Sequence, residues 1–322
     1  MFIYNKDTQL NLKEYGIDIP LLGKRGRLVF EYIKDNFKSN QINKTELIQC
    51  SKNNLLLAHS NEFVERILYD PTKELLQAFE LINEDGSFNR YNPKEATKTL
   101  NNLVQRVLKQ VSGTILTCEQ SLKNGFAFHI GGGLHHAMEN TSRGFCLVND
   151  IVIAARFMQK NHGLKNVLVI DVDAHKGDGT AQMTKDDKTI TTLSIHMKSN
   201  WPLDTGTQSD PWFIPSDIDI PISKDDDYIK ELSLGLNQLN DYPRPDLCIV
   251  VQGSDPYEED ELESSNEINL SLEQMLKRDK IVYNYLKSNN IPQAYVMAGG
   301  YGKKAHEPYI NFIKYLKDFD LS

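Results

Sequence analysis

Asp171, Asp173 and His175 follow one another at two-residue spacing in the run Val167-Leu-Val-Ile-Asp-Val-Asp173-Ala-His175-Lys-Gly-Asp178. In an extended chain that spacing sends all three side chains to one face. Carboxylates and an imidazole together form a donor set for a divalent cation. Buried carboxylates are costly without a compensating charge, so an apolar run that ends this way asks for a metal or a strong charge partner. The alternative is a solvated strand end with capping aspartates, and this segment alone leaves both readings open.

Three further segments carry chemistry-bearing residues. Ile130-Gly-Gly-Gly-Leu-His135-His136 presents two adjacent imidazoles after a glycine run that lets backbone approach a ligand closely. Val251-Gln-Gly-Ser-Asp255-Pro256 places another carboxylate just after an apolar run, and the acidic residues Glu258 to Glu261 that follow read as solvated surface. Ala294-Tyr-Val-Met-Ala-Gly299-Gly300-Tyr301 ends in two glycines and a phenol. Each segment alone is a weak signal, and their order in one chain is far more specific.

The elements that must position them alternate. Phe126 to Ile130, Val167 to Asp173, Ile190 to His196, Ile218 to Ile222, Cys248 to Gln252 and Ala294 to Met297 read as strands. Helical patterns cover Asn149 to Asn161, Asp227 to Asn240, Leu272 to Lys287 and Ala305 to Lys317, with two more across Lys98 to Lys123. The polar stretch Asn83 to Lys98 reads as a surface loop. This is the grammar of an α/β fold with a mostly parallel sheet and helices on both faces, and such sheets carry their sites beyond the C-terminal ends of the strands. No domain boundary is evident, and the expectation is a single domain over residues 1–322.

Composition excludes several classes. Hydrophobic residues make up 40% and charged residues 25% of the 322, which is globular rather than disordered or membrane-spanning. A net charge of -8 provides no field for phosphate backbones, so neither nucleic acid nor a membrane is an expected partner. The cysteines Cys50, Cys118, Cys146 and Cys248 are far apart and form no C-x-x-C pair, and the first twenty residues lack the apolar stretch of a secretion signal. Both features point to a cytoplasmic protein, and nothing in the sequence sets its oligomeric state.

Taken together, these segments resemble the zinc-dependent histone deacetylase family, the classical lysine deacylases, from about Leu55 to the last helix. Leu56-Leu-Ala-His-Ser60 resembles an early family segment, Gly131 to Asp150 the histidine-pair block, and Asp171 to Gly179 the metal block. The resemblance implies the arginase/deacetylase-like fold and one zinc ion per chain, held by Asp173, His175 and Asp255. It implies His135 and His136 as tandem catalytic histidines backed by Asp171 and Asp178, and Tyr301 as the catalytic tyrosine. Gly144 and Phe145 would line an acyl-lysine tunnel, Trp201 would form the opposite wall, and Leu262 would touch the mouth. It further implies a structural potassium ion (K+) on backbone oxygens of Asp171, Asp173 and His175 with Ser194.

The sequence departs from the family pattern at Lys176, where many members carry a second histidine, and across Ser199 to Gly206. Lys176 together with Gly299-Gly-Tyr-Gly-Lys-Lys304 looks most like the class IV branch and its bacterial relatives, where long acyl chains are also removed. The implied activity is hydrolysis of acetyl or longer acyl groups from lysine side chains of proteins or peptides. Deacylation of small amides such as acetylated polyamines, or non-catalytic acyl-lysine binding, are alternatives. A two-manganese ureohydrolase is a further rival, but Pro256-Tyr257 after Asp255 offers it no second ligand pair.

Overall fold

The computed structural model describes residues 1–43, 45–203 and 213–319. Its eight strands are β1 (Phe2–Ile3), β2 (Ile42–Asn43), β3 (Phe126–His129), β4 (Val167–Asp171), β5 (Ile190–Met197), β6 (Ile218–Ile222), β7 (Leu247–Gln252) and β8 (Gln293–Met297). They form one sheet in the order β2-β1-β3-β8-β7-β4-β5-β6, and every described pairing is parallel. The chain thus has the α/β architecture expected of it. All strands point the same way, so the segments leaving β3, β8, β7 and β4 emerge side by side at one edge.

The helices are α1 (Arg25–Asn36), α2 (Lys52–Leu55), α3 (Asn61–Tyr69), α4 (Thr72–Ala78), α5 (Asn101–Asn124), α6 (Asp150–His162), α7 (Asp178–Thr184), α8 (Tyr228–Gln238), α9 (Leu272–Ser288) and α10 (Glu307–Phe319). Alternation along β4 shows how they sandwich the sheet. Val167 and Val169 bury against an apolar layer built from α5 and α6, while Leu168 and Ile170 bury against the layer from α1, α8, α9 and α10. Several helix starts are written locally. Asn149 caps α6 by accepting from the Val152 amide, and Ser271 with Gln274 forms a capping box on α9. No helix among the described residues is long and apolar enough to cross a membrane.

Two expectations need correction. The stretch Lys98 to Lys123 holds one helix, α5, rather than two. Gly113 at its middle does not break it. A Cβ there would lie 2.3 Å from Nε2 of His129, so the glycine allows α5 to approach β3 closely. The second concerns β4, which ends at Asp171, so Asp173 and His175 do not continue its extended alternation. The short β1 and β2, too brief for any periodicity, had no sequence signal. The departure over Ser199 to Gly206 lies within the described residues only as far as Leu203.

Candidate active site

Four strand ends converge here. From β4 come Asp173 and His175, and from β7 comes Asp255; one ligand atom of each lies within 4.8 Å of the others, and all three residues are buried. His175 Nδ1 sits 3.3 Å from Asp173 Oδ1 and 3.1 Å from Asp255 Oδ2. The other carboxylate oxygens each accept one backbone amide: Gly299 N–H donates to Asp173 at 2.8 Å and Ala174 N–H to Asp255 at 3.0 Å. Gly253 and Gly299 make this crowding possible, since a Cβ at either would lie 2.3 Å from a carboxylate oxygen of the cluster. Asp173 is 1% exposed, which overturns the reading of a solvated strand end. Two buried carboxylates and one imidazole fit a zinc ion with a vacant position.

Below the cluster, Arg278 of α9 is fully buried. It donates to the carbonyls of Val172 and Gly253 at 3.0 and 2.8 Å, tying the β4 and β7 tips together. On its outer side, His175 Nε2 faces Ser264 Oγ at 3.2 Å. An outer partner of this kind fixes the tautomer and orientation of a metal-ligating histidine.

The glycine run after β3 folds back under the control of Asp150 at the start of α6, whose carboxylate accepts the Gly133 and Leu134 amides at 3.1 and 2.7 Å. That turn delivers the histidine pair. His135 Nδ1 meets Asp171 Oδ2 at 2.7 Å, and its Nε2 lies 3.7 Å from Asp173. His136 Nδ1 meets Asp178 Oδ1 at 2.7 Å, and Arg143 reaches the other Asp178 oxygen at 3.1 Å. The two imidazoles are driven apart electrically. Burial opposes charge on His135, but the Asp171 and Asp173 carboxylates outweigh it and push the group up to about 9. Burial, reinforced by the neighbouring His135, pushes His136 down to about 3. His136 is the neutral member of the pair, and a cation held by Asp173 would weaken the hold on the proton of His135.

Beyond β8, Arg25 donates to the carbonyls of Ala298, Gly299 and Gly300 at 2.7 to 2.9 Å and fixes the turn that leads to Tyr301. The Tyr301 amide donates to Asp260 at 2.7 Å. Burial and the charges of Asp255 and Asp173 hold its phenol well above the usual tyrosine range, so it stays protonated. Gly144 and Phe145 both adopt left-handed backbone, with φ of 55° and 63°. A Cβ on Gly144 would lie 2.4 Å from the Trp201 ring. Phe145 stands 5.9 Å from the Tyr301 ring, and Trp201 packs 4.7 Å from the His136 ring. Those four residues and Leu262 line a cavity that opens to solvent. A second, more apolar cavity runs inward from the cluster past Leu22, Ile130, Leu134 and Met297.

Every residue singled out from the sequence is therefore found at this sheet edge. Others were missed. Asp260 belongs to the acidic run read as surface, yet its carboxylate accepts from Tyr301, from Leu262 at 2.9 Å and from Ser265 at 2.9 Å. Lys176, seen only as a departure, is 2% exposed and pairs with Asp219, which His196 also approaches at 3.3 Å. Nothing in the local sequence announces such pairings, because their partners come from distant elements.

A sheet of parallel strands with an acid–histidine cluster and two aspartate-backed histidines at its C-terminal edge makes a candidate metal-dependent hydrolase site. Comparison with known proteins makes the class particular. Residues 20–312 match the histone deacetylase domain. An uncharacterized protein of Picosynechococcus sp. is 35% identical over 205 residues, which are 64% of this chain and 66% of that protein. Histone deacetylase 2 of Arabidopsis thaliana is 26% identical over 287 residues, covering 88% of this chain and 69% of that one. The crystal structure of the HDA15 HD domain superposes with a TM-score of 0.74 at 17% identity, covering 100% and 90% of the two chains. The chain belongs to the histone deacetylase family.

Proposed function

We propose that this protein is a zinc-dependent hydrolase that removes acyl groups from the side-chain amine of lysine. The observation that carries the reading is the convergence of the Asp173, His175 and Asp255 donor set with two aspartate-backed histidines and a protonated phenol at one tunnel floor. Asp173, His175 and Asp255 would hold the zinc ion, which when bound supplies Lewis acidity to the scissile carbonyl and to water.

The chain's own groups do the rest. Asp178 accepts from His136 Nδ1, which keeps Nε2 as the basic nitrogen; His136 takes a proton from the attacking water and returns it to the leaving amine. His135 contributes positive charge, and Asp171 holds it in place. The Tyr301 hydroxyl donates to the oxygen on which charge develops. Gly144, Phe145 and Trp201 exclude water from the methylene chain, and Leu262 borders its entrance. The buried Ser194 hydroxyl, which has no hydrogen-bond partner among the described residues, stands in register with Asp171 and supports a potassium site there.

Protein or peptide acyl-lysine and small acylated amines both fit this chemistry. The inward apolar cavity supports acyl chains longer than acetyl. A panel of lysine amides from acetyl to myristoyl, assayed on zinc-loaded protein with Asp255→Ala as the inactive control, tests the reading. Release of amine from at least one chain length by the wild type alone is the expected result, and no release from any member refutes it.

A further inference from the structure

We infer that Glu80 and Arg90, an ion pair at the mouth of the tunnel, recognise a free amino-acid head group. The substrate class is then an Nε-acylated lysine, or a homologous ω-N-acyl amino acid, with its α-amine and α-carboxylate both unblocked. The inference rests on the deacylase reading of the same site and adds to it the identity of what stands outside the tunnel.

Glu80 and Arg90 line the cavity that also holds His136, His175, Trp201 and Tyr301, so one continuous space joins the pair to the reacting end. Arg90 Nη1 lies 3.1 Å from Glu80 Oε2, and each side chain is about 40% exposed. For both, this is the one side-chain hydrogen bond among the described residues. The guanidinium therefore has donors to spare, and the carboxylate has lone pairs to spare.

Their backbone is held as firmly as the side chains are idle. Glu80 has a φ of 55° and Arg90 a φ of 52°, both in the left-handed region that residues with a Cβ disfavour. Asn89 clasps the two strands of this turn, its side chain donating to the Glu80 carbonyl and its amide to Leu81, each at 2.9 Å. Asp18 N–H fixes the Arg90 carbonyl at 2.8 Å. The left-handed residue Glu80 closes the C-terminus of α4, its amide donating to Gln77 at 3.2 Å and that of Leu81 to Leu76 at 2.9 Å, so the end of the helix fixes where Glu80 stands on the cavity wall. An exposed ion pair adds little stability, so stability alone does not account for the pair at this mouth.

The charges select among ligands. A lysine whose acyl nitrogen lies at the tunnel floor has its α-carbon four methylenes away, at the mouth. There an α-ammonium finds Glu80, and an α-carboxylate finds the planar fork of Arg90, so one surface pair is exchanged for two charge-assisted ones. A polyamine presents only positive charge, which can satisfy Glu80 but offers Arg90 no acceptor. A residue within a polypeptide presents neutral amides that gain no charge assistance from either group.

The test uses four substrates on the zinc-loaded protein: Nε-acetyl-lysine, its Nα-acetyl derivative, its carboxamide and the doubly blocked compound. Wild type should lose about tenfold in kcat/KM, through KM, for each end that is blocked. In Arg90→Gln the penalty for blocking the carboxylate should vanish while that for the amine persists, and Glu80→Gln should show the converse. Equal use of free and doubly blocked substrates by the wild type, or identical penalties in all three proteins, overturns the inference while leaving the deacylase reading intact. Failure to hydrolyse any of the four, with the Nε-acyl group varied from acetyl to myristoyl, overturns both.

Discussion

Oδ1 of Asp178 lies 2.7 Å from Nδ1 of His136, and both residues are buried. The neighbouring His135 has the same relation to Asp171, yet burial and the adjacent His135 push His136 down while the Asp171 and Asp173 carboxylates outweigh burial and push His135 up. His136 is thereby the imidazole available as a base.

Replacing Asp178 by Asn keeps the shape of the pair and removes the anion that fixes the His136 tautomer. The expected result is a loss of about 100 to 10,000-fold in kcat, the range over which general acid–base catalysis operates, with zinc content unchanged. Steady-state kinetics with metal analysis on one preparation checks it. A loss below tenfold would remove His136 from the proton path.

Tyr301→Phe deletes one hydroxyl and no packing. Removing a single donor to a developing oxyanion costs about 100 to 1,000-fold in rate, and the loss should appear in kcat with little change in KM. Near-normal turnover would show that the phenol is not aimed at the reacting oxygen.

Much of this site was legible because parallel α/β sheets expose their strand ends on one edge, and Asp173, Asp255, His135 and Tyr301 each follow an apolar run directly. Chain order thus carried spatial information. Asp260 was not legible: among Glu258, Glu259 and Glu261 it looks like one more solvated acid, and only the return of Tyr301 beside it gives it amides to bind. Arg25 and Arg278 escaped for the same reason, since their acceptors are carbonyls 273 to 275 and 25 to 106 residues away. The close approach of α5 to β3 at Gly113 was not legible either, because the residue it makes room for, His129, comes from another element.

Asp260→Asn should therefore impair catalysis without emptying the metal site. Weakening a carboxylate that holds Tyr301 and the Leu262 turn is expected to lower kcat by about ten to a hundredfold, the effect of losing an outer supporting group. Unchanged kcat would return Asp260 to the surface run in which the sequence places it.

Lys176 predicts a stability effect. Lys176→Met leaves Asp219 without its buried cationic partner, and breaking such a pair costs several kcal/mol, reduced here to about 2 kcal/mol because Asp219 is 27% exposed. Urea unfolding measures it. A change below about 0.5 kcal/mol, the usual size for an ordinary surface substitution, would contradict the buried-pair assignment.

Acid stability follows from His59, whose pKa burial pushes down to about 4. The fold holds it neutral, with Nε2 accepting the Asn149 amide at 3.0 Å, whereas the unfolded chain protonates it below about 6.5. Its contribution is complete above that pH and is lost as pH falls toward 4, by about 3 kcal/mol in all. His59→Gln should flatten the stability curve between pH 6.5 and 4 by that amount. An unchanged slope would show that His59 titrates alike in both states.

Metal titration addresses the central claim most directly. Metal-depleted protein is supplied with increasing zinc, and hydrolysis of an acyl-lysine substrate is followed at each step. Activity should rise from zero in proportion to zinc and level off at one equivalent per chain, with Asp255→Ala inactive throughout. Full activity without metal, or a requirement for two manganese ions, would contradict the account.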